Sequence, residues 1–89
     1  MVNDVTGIES NEIVTFSYYP NPVTEKLYLS SSKRIRTVKI FTVSGNLTES
    51  LKFNEENVII DLEQHKSGIY FLEINGAQDT KKIIKIIKQ

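Results

Sequence analysis

His65 is the only histidine in this 89-residue sequence and the one side chain suited to moving a proton near neutral pH. It sits in Glu63-Gln64-His65-Lys66-Ser67-Gly68. General acid–base work needs a partner, and Asp61 and Glu63 are the carboxylates at hand. The polarity of the surrounding run accounts for the histidine more simply, as a loop residue. Glu55, Glu56 and Asp61 offer oxygens for calcium, yet the spaced Asp/Asn loop that wraps the ion is missing, so no metal site is expected. Ser30-Ser31-Ser32 carries no nucleophile motif and reads as a solvated loop. Asn46-Leu47-Thr48 fits the N-glycosylation pattern, a weak signal by itself. Tyr18, Tyr19, Tyr28 and Tyr70 invite a sugar platform. Tryptophan is absent and Tyr70 lies on an apolar alternation, so core packing is the expectation. No acid–base pair, nucleophile constellation or cofactor motif is legible, and the chain is not expected to be an enzyme.

The informative chemistry lies in the last twenty-two residues. Gly68-Ile-Tyr-Phe-Leu-Glu-Ile-Asn-Gly is an apolar run closed by a turn, and Thr80-Lys-Lys-Ile-Ile-Lys-Ile-Ile-Lys-Gln89 follows it. A basic, β-branched segment of this kind is a readable label rather than a catalyst. As a helix it would set Ile83, Ile84, Ile86 and Ile87 opposite Lys81, Lys85 and Lys88, a pattern able to lie on a membrane. As a strand it places Ile84 and Ile86 on one face and Ile83 and Ile87 on the other. Four β-branched residues in five positions favour the strand. An isolated helix this short is marginal as well.

Eleven basic and eleven acidic residues leave no field to hold nucleic acid. A chain of this length makes one domain with a thin core, burying roughly 60–65% of its unfolded surface. Without cysteine there is neither disulfide nor thiolate metal site. That fits a reducing compartment, or a domain stabilised by sheet packing and its parent protein. No apolar run approaches the roughly 20 residues that span a bilayer, and no direct membrane insertion is expected. Met1-Val-Asn-Asp lacks the basic and apolar regions of a signal peptide, so the chain reads as a piece of a longer protein.

The elements that must position the tail are short. Residues 1–12 are polar and read as a linker or N-terminal arm. Runs rich in Val, Ile, Tyr, Phe and Thr follow over Ile13–Tyr18, Lys26–Ser30, Ile35–Val43, Leu47–Phe53, Val58–Leu62, Ile69–Asn75 and Thr80–Ile87. Seven short strands at this spacing predict an all-β fold, an Ig-like antiparallel β-sandwich. Period-two alternation places Leu27, Leu29, Val38, Ile40, Val58, Ile60, Leu62, Tyr70, Leu72 and Ile74 in the core. Ser44-Gly45-Asn46 and Asn75-Gly76 supply the positive φ of hairpin turns. Tyr19-Pro20-Asn21-Pro22 fixes two φ angles and removes two donors, ending the first strand sharply.

Tyr19-Pro20-Asn21-Pro22-Val23, then Val38-Lys39-Ile40-Phe41 with Ser44-Gly45-Asn46, then Gly68-Ile69-Tyr70-Phe71 ahead of Lys81-Lys82-Ile83-Ile84-Lys85 together resemble one family. It is the C-terminal sorting domain of type A cargo of the type IX (Por) secretion system of Gram-negative bacteria. The resemblance spans residues 13–89. Each motif alone is weak, and their order and spacing make the set specific.

The resemblance implies a non-enzymatic sorting module behind an N-terminal passenger that reaches the periplasm by its own signal. An outer-membrane translocon then reads the module. A sortase-like peptidase commonly removes it and joins the passenger to an anionic lipopolysaccharide, leaving a secreted or cell-surface product. The family's motifs fall on Pro20, Asn21 and Pro22, on Gly68 and Tyr70, and on Lys81, Lys82 and Lys85. Ile86-Ile87-Lys88-Gln89 adds a second Ile-Ile-Lys unit beyond the usual tail. Thr42 stands where an Asp usually precedes the turn, which predicts a lost side-chain cap. The competing reading is a fibronectin-like binding module for carbohydrate or protein. A basic edge strand that is merely soluble is the plainest reading of the lysines.

Overall fold

A computed structural model describes residues 14–89. The linker expected over residues 1–12 lies outside the described residues. Five strands follow: β1 (Phe16–Tyr19), β2 (Lys26–Thr42), β3 (Leu47–Asp61), β4 (Gly68–Gly76) and β5 (Lys81–Lys88). All pair antiparallel in one sheet. β2 carries β3 along one side for its whole length. On its other side it pairs first with β1 and then with β4, and β5 completes that end.

The expected all-β antiparallel fold is borne out, as one curled sheet of five strands among the described residues rather than the expected sandwich of about seven. Lys26–Ser30 and Ile35–Val43 were expected as separate strands, and they run together as β2. Leu47–Phe53 and Val58–Leu62 merge likewise into β3. The expected breaks survive as register shifts, between Ser30 and Ile35 and again between Ile35 and Thr37. Bulges of this kind bend a sheet and sharpen its twist. They also switch the inward phase from Leu27, Leu29 and Ile35 to Val38 and Ile40, so both halves of β2 keep their apolar side chains on the same core.

All ten expected core residues are buried, joined by Val23, Ile35, Ile84 and Ile86 in one cluster. Each fully buried Leu or Ile contributes about 1.5–3 kcal/mol relative to exposure. The tyrosines divide. Tyr70 is in phase with Leu72 and Ile74 and is buried. Tyr19 and Tyr28 depart from the core expectation, because Tyr28 alternates out of phase with Leu27 and Leu29. They are register partners on the outer face, with stacked rings 5.3 Å apart.

The turns follow their residues with one change. Gly45 takes φ +93° in the β2–β3 turn, where its N–H donates to the Thr42 carbonyl at 2.9 Å. The cap expected to be missing there is supplied by Thr42, whose hydroxyl oxygen accepts the Asn46 N–H at 3.2 Å. At the β4–β5 turn Gly76 is extended, and Gln78 and Asp79 carry the positive φ instead. Gly76 is needed for closeness: a Cβ there would lie 2.6 Å from the Arg34 carbonyl oxygen.

Candidate functional site

The tail is a strand. β5 pairs with β4 from Asn75↔Lys81 to Gly68↔Lys88 without a register shift. Ile84 and Ile86 point into the core at 4% and 0% exposure, and Ile83 and Ile87 point out at 57% and 41%. This is the alternation expected of the strand reading, with the core face opposite β4's Leu72 and Tyr70.

The Pro20-Asn21-Pro22 segment lies against the far side of this strand. Both peptide bonds into proline are cis. Asn21 spends its whole side-chain amide on the tail: Nδ2 donates to the Lys85 carbonyl at 3.3 Å, and Oδ1 accepts the Ile87 N–H at 3.0 Å. Val23 continues the contact with its backbone. Its N–H donates to the Ile87 carbonyl, and its carbonyl accepts the Gln89 N–H, both at 2.8 Å. Val23 is also fully buried. Two motifs more than sixty residues apart thus form one structure, in which a short arm stands in for a sixth strand along the end of β5.

Gly68 and Tyr70 begin the neighbouring strand. Gly68 holds φ +151°, a conformation that side chains rarely adopt. Tyr70 faces Ile86 in register, and its hydroxyl donates to the Lys66 carbonyl at 2.7 Å. His65 packs edge-on against the Tyr70 ring at 5.5 Å. Its Nε2 lies 3.6 Å from Glu49, a residue far along the chain from the Asp61 and Glu63 named as candidates.

The lysines differ among themselves. Lys81 Nζ sits 3.1 Å from Glu73 Oε2 on β4. This contact is the main reason the Glu73 carboxyl is held below its usual range, helped by the Asn75 amide and opposed by partial burial. Lys82 and Lys85 are exposed, and neither forms an ion pair among the described residues. Lys88 is 7% exposed and in phase with Ile84 and Ile86, its ammonium donating to the Gln89 carbonyl at 3.0 Å. Of the terminal lysines, only Lys82 and Lys85 combine exposure with freedom from an ion pair among the described residues. Sequence reasoning missed Val23, Glu73 and Glu49 as partners in this region. The i, i+2 phase shared by Ile84, Ile86 and Lys88 was the available signal for the last lysine.

A family model described as the secretion system C-terminal sorting domain matches residues 17–89. The chain belongs to that family, the type IX secretion sorting domains. Among curated proteins none matches the sequence. The match takes in the proline–asparagine–proline arm, the Gly68–Tyr70 strand and the lysine tail. A domain of this family is a C-terminal secretion signal, and it implies a secreted or cell-surface protein that meets the type IX machinery.

Proposed function

We propose that this domain carries a fused passenger through the periplasm and across the outer membrane of a Gram-negative bacterium, acting without catalysis of its own. The translocon reads the folded tail. A sortase-like peptidase then removes the domain and anchors the passenger to an anionic lipopolysaccharide. The observation that supports this reading is the exposed tail strand of a sorting-domain chain, with unpaired Lys82 and Lys85. Pro20, Asn21, Pro22, Gly68 and Tyr70 act by shaping that strand, and Lys81, Lys82 and Lys85 supply its charge.

The test is a fusion of the 89-residue chain behind a periplasmically exported reporter, in a host with the type IX system. The intact fusion is expected outside the cell, and a fusion ending before Lys81 in the periplasm. Replacing Lys82 and Lys85 with Gln preserves the isoleucine alternation and leaves the Lys81–Glu73 pair intact. Export is expected to fall while the thermal midpoint stays in place. Undiminished export by the folded variant would remove the charge role, and no export by the intact fusion would remove the sorting function.

A second reading, a binding module for carbohydrate or protein, rests on one observation. Tyr19, Tyr28 and Ile59 form a rung of register partners across β1, β2 and β3, all exposed on the outer face. Replacing Tyr19 and Tyr28 with Ala separates the readings, since a sorting signal keeps exporting without them.

A further inference from the structure

We propose that the part of the β5 edge left open by the Asn21 arm, Lys81 to Lys85, pairs by its main chain with an extended acidic segment of the protein that reads the signal. The proposal rests on the sorting function and specifies how the tail is recognised.

Backbone groups of an antiparallel strand point alternately toward and away from the neighbour. In β5 the outward set is fixed by the observed bonds. The carbonyls of Lys85 and Ile87 and the N–H groups of Ile87 and Gln89 all reach Asn21 or Val23. The inward set is marked by the Thr80 carbonyl, which accepts the Gly76 N–H. The odd residues therefore face the edge. Lys81 and Ile83 present N–H and C=O outward, and Lys85 presents its N–H, with no strand beside them among the described residues. The arm shows that this edge accepts a further strand, since Val23 already forms a parallel bridge with Lys88. The open segment continues the same line.

The other edges are poorer templates. Among the described residues β3 is open on the side away from β2, but register shifts interrupt it at several points. β1 has only four residues. β5 has no shift in its pairing with β4, and a straight unpaired edge is the kind that recruits another strand. Charge selects the occupant. Among the described residues Lys82 and Lys85 have no carboxylate partner, and an acidic segment supplies one on each face of the strand. A second copy of the tail would set lysine against lysine, which is unfavourable for directly opposed like charges.

Proline distinguishes a main-chain contact from a side-chain one. At an outward-facing position of an edge strand it removes one N–H without costing a ladder bond. Ile83→Pro should retain the thermal midpoint of the 89-residue chain yet lower export of the reporter fusion about tenfold, the scale of leaving one partner acceptor unsatisfied. Ile83→Thr, which keeps the N–H, should export normally. Full export by folded Ile83→Pro would overturn the proposal, as would loss of export by Ile83→Thr, which would assign the contact to the side chain. Should Ile83→Pro lower the midpoint, the comparison passes to Lys81→Pro measured against Lys81→Gln, which both lose the ammonium and its pair with Glu73: lower export by the proline variant supports the main-chain contact, and equal export overturns it. A purified dimer that the proline variant disperses would give the edge to a second copy and also overturn it. Failure of the unaltered fusion to export would instead remove the sorting function beneath it.

Discussion

The side-chain oxygen of Asn21 accepts the backbone N–H of Ile87 at 3.0 Å, across a separation of 66 residues. With the bond from its Nδ2 to the Lys85 carbonyl, one amide satisfies two edge groups of the terminal strand. The motif thereby gains a mechanical meaning. It holds the end of the tail in register and covers its last groups, leaving the lysine-bearing part open.

Asn21→Ala removes both bonds without touching the core. The groups it leaves can turn to water, so the expected loss is about 1–2 kcal/mol, two ordinary hydrogen bonds. Urea denaturation of the two proteins measures it. An unchanged midpoint would show that the arm does not hold the tail.

Four isoleucines of β5 give an internal comparison. Ile84→Ala and Ile86→Ala empty buried sites and should each cost about 2–5 kcal/mol. Ile83→Ala and Ile87→Ala fall on the outer face and should stay within about 0.5 kcal/mol. Equal losses at all four would contradict the strand alternation, and thermal melts of the set decide it.

Tyr70→Ala is expected to lose about 3–5 kcal/mol, because a buried ring leaves a cavity against Ile86. Tyr70→Phe keeps the ring and loses only the bond to the Lys66 carbonyl, about 1 kcal/mol. His65→Ala should fall well below the first, although the imidazole's contact with Tyr70 makes it more than a free loop residue. Comparable midpoints for Tyr70→Ala and His65→Ala would misplace the core.

Glu73 couples the tail to pH. The Lys81 ammonium, the nearby Asn75 amide and the Lys39 charge hold its carboxyl below its ordinary value of 4.5. A group with a depressed folded pKa stabilises the fold fully above its unfolded pKa and loses that contribution as pH falls through the folded one. The contribution is therefore present at neutral pH and fades below about pH 4.5. A pH titration of the thermal midpoint should show this acid loss in the parent and a smaller one in Glu73→Gln. Identical acid slopes would mean that the contact with Lys81 is energetically silent.

Most of the core was legible because period-two alternation is a local property: Leu27 with Leu29, Val58 with Ile60, Leu72 with Ile74. The outward phase of Tyr28 was equally legible from its neighbours, and composition led away from it. Strand count was harder. Whether Ser30 and Ile35 belong to one strand depends on how β3 pairs across both, with β1 beside Ser30 and β4 beside Ile35, and no nearby residue encodes that. The arm was visible as a motif, yet its contact with the tail joins residues far apart in sequence, where single-sequence patterns carry no distance. The separate fates of Lys81, Lys82, Lys85 and Lys88 follow from which neighbours the fold supplies, as Glu73 does for Lys81.

The arm also has consequences for the order of folding. The β2–β3 turn closes over four residues, from Thr42 to Asn46, whereas the Asn21–Ile87 bond spans 66. Chain entropy makes long closures slower and costlier than short ones. Asn21 also has nothing to bond until β5 lies on β4. The β2–β3 hairpin is therefore expected to form before the arm closes on β5, an order that hydrogen exchange of the Thr42–Asn46 and Asn21–Ile87 bonds would read. Until the arm closes, the edge groups of Lys85, Ile87 and Gln89 that it covers stand open, and the tail has a longer bare edge than the finished fold shows.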